Sequence, residues 1–174
     1  MRDVIRRLDA LGIRYFVTGS EAGGAYGVLR QTFDTDIVID LRPADYKTIE
    51  ASFEGRYSIA DRIPCEGFGM GSVIEIATSE KADLIMCDPS PWTDEAMSRR
   101  VQRHLPHLGL VWVASLEDLI LAKLVWSEGT SELQLRDCIQ LIRLNAVGLD
   151  VTYPDQWAQS LGVTSLLERV RHAT

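Results

Sequence analysis

The stretch "RQTFDTDIVIDL", Arg30 to Leu41, decides how the rest of the chain is read. Its second half, "DIVIDL", is apolar and β-branched, the composition of a buried strand. Two aspartates, Asp34 and Asp36, stand two residues apart where that strand begins. Side chains i and i+2 of a strand share a face, so these carboxylates lie side by side. Like charges at the mouth of an apolar strand are costly unless a cation, a donor or a partner lies with them. The spacing predicts something positive between them. Asp40, further along the same face, lacks such neighbours and reads as a strand-end turn residue.

Working outward, Val4, Ile5, Leu8 and Leu11 recur at helical spacing before Gly12, which predicts an amphipathic first helix. "IRYFVTG" reads as a strand ending at Gly19, and Ser20 is expected to cap a helix through "EAGGAYGVLR". After the aspartates, Pro43 suits the first residue of a helix reaching about Phe53. "RYSIADRI", "SVIEIAT" and "ADLIMCD" read as strands, Trp92 to His104 as a helix, and "LVWVAS" as a last strand. From Ser115 only helices are expected. "SLEDLILAKLVW" opens Ser-x-x-Asp, "SELQLRDCIQLIRL" opens with a Ser-x-x-Gln capping box, and two shorter helices centre on Trp157 and Leu166. The order gives an α+β protein: a small mixed sheet flanked by helices (residues 1–114), then a helical C-terminal segment (residues 115–174).

A chain of 174 residues can bury one proper core. Its net charge of −7 argues against coating nucleic acid by bulk electrostatics, while leaving room for a local basic groove. No apolar run approaches the roughly 20 residues of a membrane span, and "MRDVIRRLDALG" has no apolar signal-peptide region. Cys65, Cys87 and Cys138 are odd in number and lack CxxC spacing, so small buried thiols in a reducing cytoplasm are expected.

Three features then line up. Gly19-Ser20 ends a strand at a helix start, where backbone N–H groups and a hydroxyl can cradle phosphate oxygens. Asp34 and Asp36 open the next strand, and Asp83 sits in "KADLIM", inside a strand of buried-type residues. Three carboxylates on adjacent strand ends can hold one or two Mg²⁺ ions completed by substrate phosphates and water. Such ions activate an attacking oxygen and stabilise a leaving pyrophosphate.

With this arrangement the chain resembles the nucleotidyltransferase superfamily that includes DNA polymerase β and the aminoglycoside nucleotidyltransferases. The family pattern is matched by "VTGS", "RQTFDTDIVID" and "KADLI", over roughly residues 5 to 145. The wording "RxTxDxD", then "KxD" and "VASLEDLILAKLVW", looks closer to the bacterial branch of AbiEii-type toxins, whose helical segment carries a Lys and an Asp; Lys123 and Asp137 match. The resemblance implies Mg²⁺-dependent transfer of a nucleoside monophosphate from an NTP to an acceptor hydroxyl on tRNA, a protein or a small molecule. Asp34, Asp36 and Asp83 would bind metal, with Asp83 also helping to deprotonate the acceptor. Gly19 and Ser20 would cradle the β- and γ-phosphates, and Lys123 and Arg30 would neutralise charge. A toxin–antitoxin setting with a protein partner is compatible. Two other readings stay open: a catalytically inactive binding or antitoxin-like module, which Glu21 after the Gly-Ser permits, and an aminoglycoside-type enzyme.

Lys123 also stands out by geometry. It falls near the centre of an apolar stripe of Leu116, Leu119, Ile120 and Leu124, where a lysine must snorkel, pair with an acid or face a ligand. Either an ion pair with Asp137 or contact with a triphosphate satisfies it, and Asp137 is expected to face inward. Lys81 stands near the carboxylates and could balance them or touch phosphate. "GFGMGS", Gly67 to Ser72, has the look of a dinucleotide loop but lacks its flanking strand and helix, and is expected to be a loop or hairpin connection. Pro106 separates His104 from His107 as ligands. Arg99, Arg100 and Arg103 read as a basic helix face, either solvated or docking a phosphate-rich acceptor. The four tryptophans read as core and helix-packing residues.

Overall fold

The computed structural model describes residues 1–41, 45–65 and 68–174. Among these the α/β part runs α1 (Arg2–Ala10), β1 (Tyr15–Val17), α2 (Gly19–Ala25), β2 (Asp34–Ile39), α3 (Lys47–Phe53), β3 (Tyr57–Cys65), β4 (Phe68–Glu75), β5 (Lys81–Cys87), α4 (Pro91–Arg99), β6 (Val101–Leu105) and β7 (Gly109–Val113). The helices α5 (Leu116–Ser127), α6 (Glu132–Leu144), α7 (Tyr153–Ala158) and α8 (Thr164–His172) follow. The strands form one mixed sheet in the order β3-β4-β5-β2-β1-β7-β6. Central β2 is antiparallel to β1 and parallel to β5. The α+β class and the helix-flanked mixed sheet match the expectation.

Alternation along β2 separates structure from chemistry. Thr35, Ile37 and Ile39 are buried on one face. Asp34, Asp36 and Val38 occupy the other, each half-buried. A strand with one face in the core has its register fixed, because a one-residue slip would bury the aspartates.

Several elements differ from the sequence reading. The helix expected from Trp92 to His104 stops at Arg99, because Arg100 is extended (φ −53°, ψ 146°) and residues 101–105 pair with β7. Gln102 to His104 are exposed on this edge strand, so no period marked it. Arg99, Arg100 and Arg103 therefore form no single helix face; they lie over the rings of Tyr153, Trp112 and Tyr26 at 3.7, 4.6 and 5.8 Å. Residues Phe68–Ser72 of "GFGMGS" are strand β4, not a loop. Gly71 lets Tyr46 lie across that strand, since a Cβ there would come within 2.1 Å of the Tyr46 hydroxyl. Gly67 and Pro43 lie outside the described residues, as does the side chain of Cys65; Cys87 and Cys138 are free thiols.

Capping also departs in two places. Thr18, not Ser20, is the N-cap of α2, and Ser20 lies inside its first turn. Ser131 makes no side-chain cap to α6, and the Gln134 amide oxygen, the other half of the expected box, accepts from Lys123 at 3.0 Å. The Ser115 cap of α5 forms as expected, its Oγ accepting from the Asp118 N–H at 3.1 Å. Helix α5 is buried over most of its surface rather than along a stripe, leaving only the face of Ala122, Val125 and Trp126 less covered: Leu119, Ile120, Leu121 and Leu124 are joined inside by Glu117, Asp118 and Lys123. No described helix is long and apolar enough to cross a membrane.

Asp118, only 2 % exposed, ties α5 to its neighbours. Its Oδ1 accepts from Trp92 Nε1 at 3.1 Å and from the Tyr153 hydroxyl at 2.8 Å. Its Oδ2 accepts from Ser115 Oγ at 2.6 Å and lies 3.4 Å from Arg99 Nε. Burial pushes the Asp118 carboxyl up despite these donors. Asp118→Ala would leave several buried donors without an acceptor, so chemical denaturation should show a loss of about 3 kcal/mol. A loss below about 0.5 kcal/mol, the range of a surface change, would remove this network from the fold's supports.

Candidate active site

The site begins where β1 meets α2. The Thr18 N–H donates to the Asp36 carbonyl at 2.9 Å, so β2 holds the turn that follows β1. Gly19 has φ +63°, a conformation costly for a residue with a Cβ. A Cβ there would also lie 1.9 Å from Asp36 Oδ2. The Gly19 backbone thus packs directly onto the Asp36 carboxylate. Ser20, 8 % exposed, accepts from the Arg30 guanidinium, bringing Arg30 to the same turn.

The parallel register of β2 and β5 pairs Asp36 with Asp83 and Asp34 with Lys81. Lys81 Nζ lies 2.9 Å from Asp83 Oδ2 and 3.5 Å from Asp34 Oδ2, so a cation does stand among the carboxylates. Its hydrogen bond to Asp83 raises the Lys81 ammonium above its ordinary range, against the opposing effect of burial. Ser72 Oγ, opposite Asp83 on β4, donates to Asp83 Oδ1 at 2.5 Å. Asp36 has no such donor among the described residues. Burial pushes its carboxyl up, repulsion from Asp83 and Asp34 adds to this, and Lys123 and Lys81 oppose it only through space.

Lys123 comes from α5. Its Nζ donates to Asp137 Oδ2 at 2.7 Å, and the side chain is 3 % exposed. The ion pair between the two helices is therefore formed, and Lys123 faces the cleft as well, lining it together with Asp36 and Gly19. Asp137 is buried behind Lys123 and is not among the cleft-lining residues. Removing one member of such a buried pair costs several kcal/mol, so its geometry is well determined.

The cleft has a volume of about 250 Å³ and lies between the Asp36 face of the sheet and helices α4 and α5. Trp92 and Trp126 line it. Trp126, 44 % exposed, stacks on Phe68 with centroids 5.1 Å apart. The sequence reading gave both tryptophans to packing and did not single out Asp118. The available signal was positional: Trp92, Asp118 and Trp126 flank the helix starts and the lysine already suspected, but only tertiary contacts turn them toward the cleft.

Asp34, Asp36 and Asp83 supply hard oxygen donors of the kind Mg²⁺ prefers. Among the described residues no three His, Cys, Asp or Glu side chains form a ready cage. The Lys81 ammonium lies between Asp34 and Asp83, in contact with both. Gly19→Ala probes the same geometry without touching a charge. The added methyl would displace the Asp36 carboxylate and force the +63° backbone, so thermal or chemical denaturation should show a loss of about 1–2 kcal/mol. Unchanged stability would mean that Gly19 and Asp36 are not in contact.

No protein-family model matches the chain, and no curated protein matches it. Solved structures do. An antigenic nucleotidyltransferase-like protein from Paracoccidioides brasiliensis aligns with TM-score 0.55 at 16% identity, covering 96% of this chain and 89% of that one. ANT(2")-Ia in complex with adenylyl-2"-tobramycin gives TM-score 0.54 at 17% identity, covering 98% and 94%. A putative nucleotidyltransferase from Thermotoga maritima gives TM-score 0.54 at 21% identity, covering 80% and 89%. At such identities the likeness is one of architecture: the chain has the fold found in nucleotidyltransferase structures.

Proposed function

We propose that the chain transfers a nucleoside monophosphate from an NTP to an acceptor hydroxyl, with Mg²⁺ held by Asp34, Asp36 and Asp83. The observation that carries this reading is Asp36, a desolvated carboxylate beside two others, without a hydrogen-bond donor among the described residues, at the wall of a cleft. A group made costly by its surroundings and turned toward a cavity is a functional candidate. Bound Mg²⁺ would polarise the α-phosphate and offset the charge of the leaving pyrophosphate.

The chain's own residues do the rest. Gly19 and Ser20, with Arg30 bonded to Ser20, hold the β- and γ-phosphates. Lys123, fixed by Asp137, brings positive charge to the cleft. The acceptor oxygen forms a bond to the α-phosphorus, the bond to the bridging oxygen breaks, and pyrophosphate leaves with that electron pair. The hydroxyl proton passes to a carboxylate. The sequence reading gives that role to Asp83, whose oxygens accept from Ser72 and Lys81 in this structure. A small-molecule acceptor has a precedent in ANT(2")-Ia, solved with adenylyl-2"-tobramycin. A tRNA or protein acceptor, and a toxin–antitoxin setting, rest on the resemblance carried by "RQTFDTDIVID", "KADLI" and "VASLEDLILAKLVW" alone.

Incubation with α-³²P-labelled NTPs, Mg²⁺ and candidate acceptors should release labelled product, and Asp36→Asn should abolish it; full transfer by that variant would sink the assignment. The same variant should melt at a higher temperature than the natural protein at neutral pH. A carboxyl that protonates more readily folded than unfolded destabilises the fold when ionised, so the gain should shrink as the pH falls through its raised range. Lys81→Met should bind Mn²⁺, followed by electron paramagnetic resonance, about tenfold more tightly, because the resident cation no longer competes. Equal or weaker binding would mean that Lys81 does not hold the metal position.

A further inference from the structure

We infer that the inner cleft takes the acceptor and that this acceptor is a neutral hydroxyl compound with a flat, apolar body, an inference that rests on the transfer reaction proposed above. The floor of the cleft is set by register. Val38 lies two residues beyond Asp36 on β2, and its partners on either side are Phe16 of β1 and Ile85 of β5. All three line the cavity, so the surface beyond Asp36 is apolar across three strands. Trp92 of α4 and Trp126 of α5 add broad aromatic surface to the walls.

Charge in the cleft is almost fully matched internally. Lys123 is neutralised by Asp137. The oxygens of Asp118 already face Trp92, Tyr153, Ser115 and Arg99, leaving little capacity for a ligand cation. The Cys87 thiol stays protonated, pushed up to about 11 by burial. Among the charged side chains of the described residues lining the cleft, Asp36 alone has no ion-pair or hydrogen-bond partner, and it lies at the end where the phosphates would be. A polycationic acceptor would find one carboxylate and desolvate its other ammonium groups against aliphatic and aromatic surface. A nucleobase needs in-plane donors and acceptors, which Phe16, Val38 and Ile85 of the floor lack; of the polar side chains on the walls, Thr93 Oγ1 is bonded to Ser90 and Gln134 Oε1 to Lys123, which leaves Thr18 and the Gln134 amide N–H. A flat apolar body fits, with its hydroxyl directed toward Asp36.

The test uses 2-naphthol as probe, in equilibrium dialysis without metal or nucleotide. The natural chain should bind it saturably at one site, and neither tobramycin nor adenosine should displace it. Ala122→Phe, which fills the α5 wall of the cleft, should weaken binding at least tenfold while circular dichroism shows the fold retained. If that variant does not fold, the competition arms on the natural chain decide the matter. Absence of saturable binding, displacement by tobramycin, displacement by adenosine, or undiminished binding by a folded Ala122→Phe would each overturn the inference. Mn²⁺ binding by the same preparation reports separately on the transfer reading: metal bound without 2-naphthol overturns only the acceptor class.

Discussion

Two carboxylates held at one level of adjacent parallel strands repel each other, and a half-buried setting screens that repulsion far less than water does. Asp36 and Asp83 are in this position, with Asp34 one step away on the same face. Much of the polar structure around the cleft answers that constraint. Lys81 and Ser72 occupy the oxygens of Asp83, and Lys123 approaches Asp36 from the helical segment. The compensation is uneven. Asp83 is well supplied and Asp36 is not, so the remaining imbalance is concentrated on a carboxylate that faces the cavity.

Helix α5 shows how a polar site is made compatible with a core. It is buried over most of its surface, yet it carries Glu117, Asp118 and Lys123 inside. Each has a dedicated partner: Arg99 for Glu117, the donors from α4 and α7 for Asp118, and Asp137 for Lys123. Paired ions of this kind add little net stability compared with apolar replacements, but they fix orientation, because any other packing would leave a charge unmatched. A lysine that must present its charge at a fixed place benefits from that rigidity.

The central strand and its aspartates were legible because a period of two and a charge pattern are both local properties of the chain. Gly19 was legible as a turning point, though it opens α2 rather than ending β1, and the reason for it, contact with the carboxylate of Asp36, exists only in three dimensions. The edge strand β6 was misread because Gln102, Arg103 and His104 have no buried side, and its pairing with β7 is what makes it a strand. Ser20 and Gln134 were misread for a shared reason. Each had a plausible cap to satisfy, but a distant cation, Arg30 in one case and Lys123 in the other, engages the side chain. Asp118 was legible only as the end of a Ser-x-x-Asp helix start, and the cleft tryptophans carried no spacing signal, since the contacts that turn them toward the cleft come from other elements.

The contact between Gly19 and Asp36 also has an evolutionary side. Filling position 19 is obstructed while position 36 carries a carboxylate, and a smaller residue at 36 would lift that steric bar. The two positions are therefore epistatic: a lineage that abandoned the carboxylate would afterwards be free to accept Asn, which tolerates a left-handed backbone, at position 19. With both residues in place the first of those steps has not been taken, and the order in which decay of the site could proceed is set by the distance between one Cα and one carboxylate oxygen.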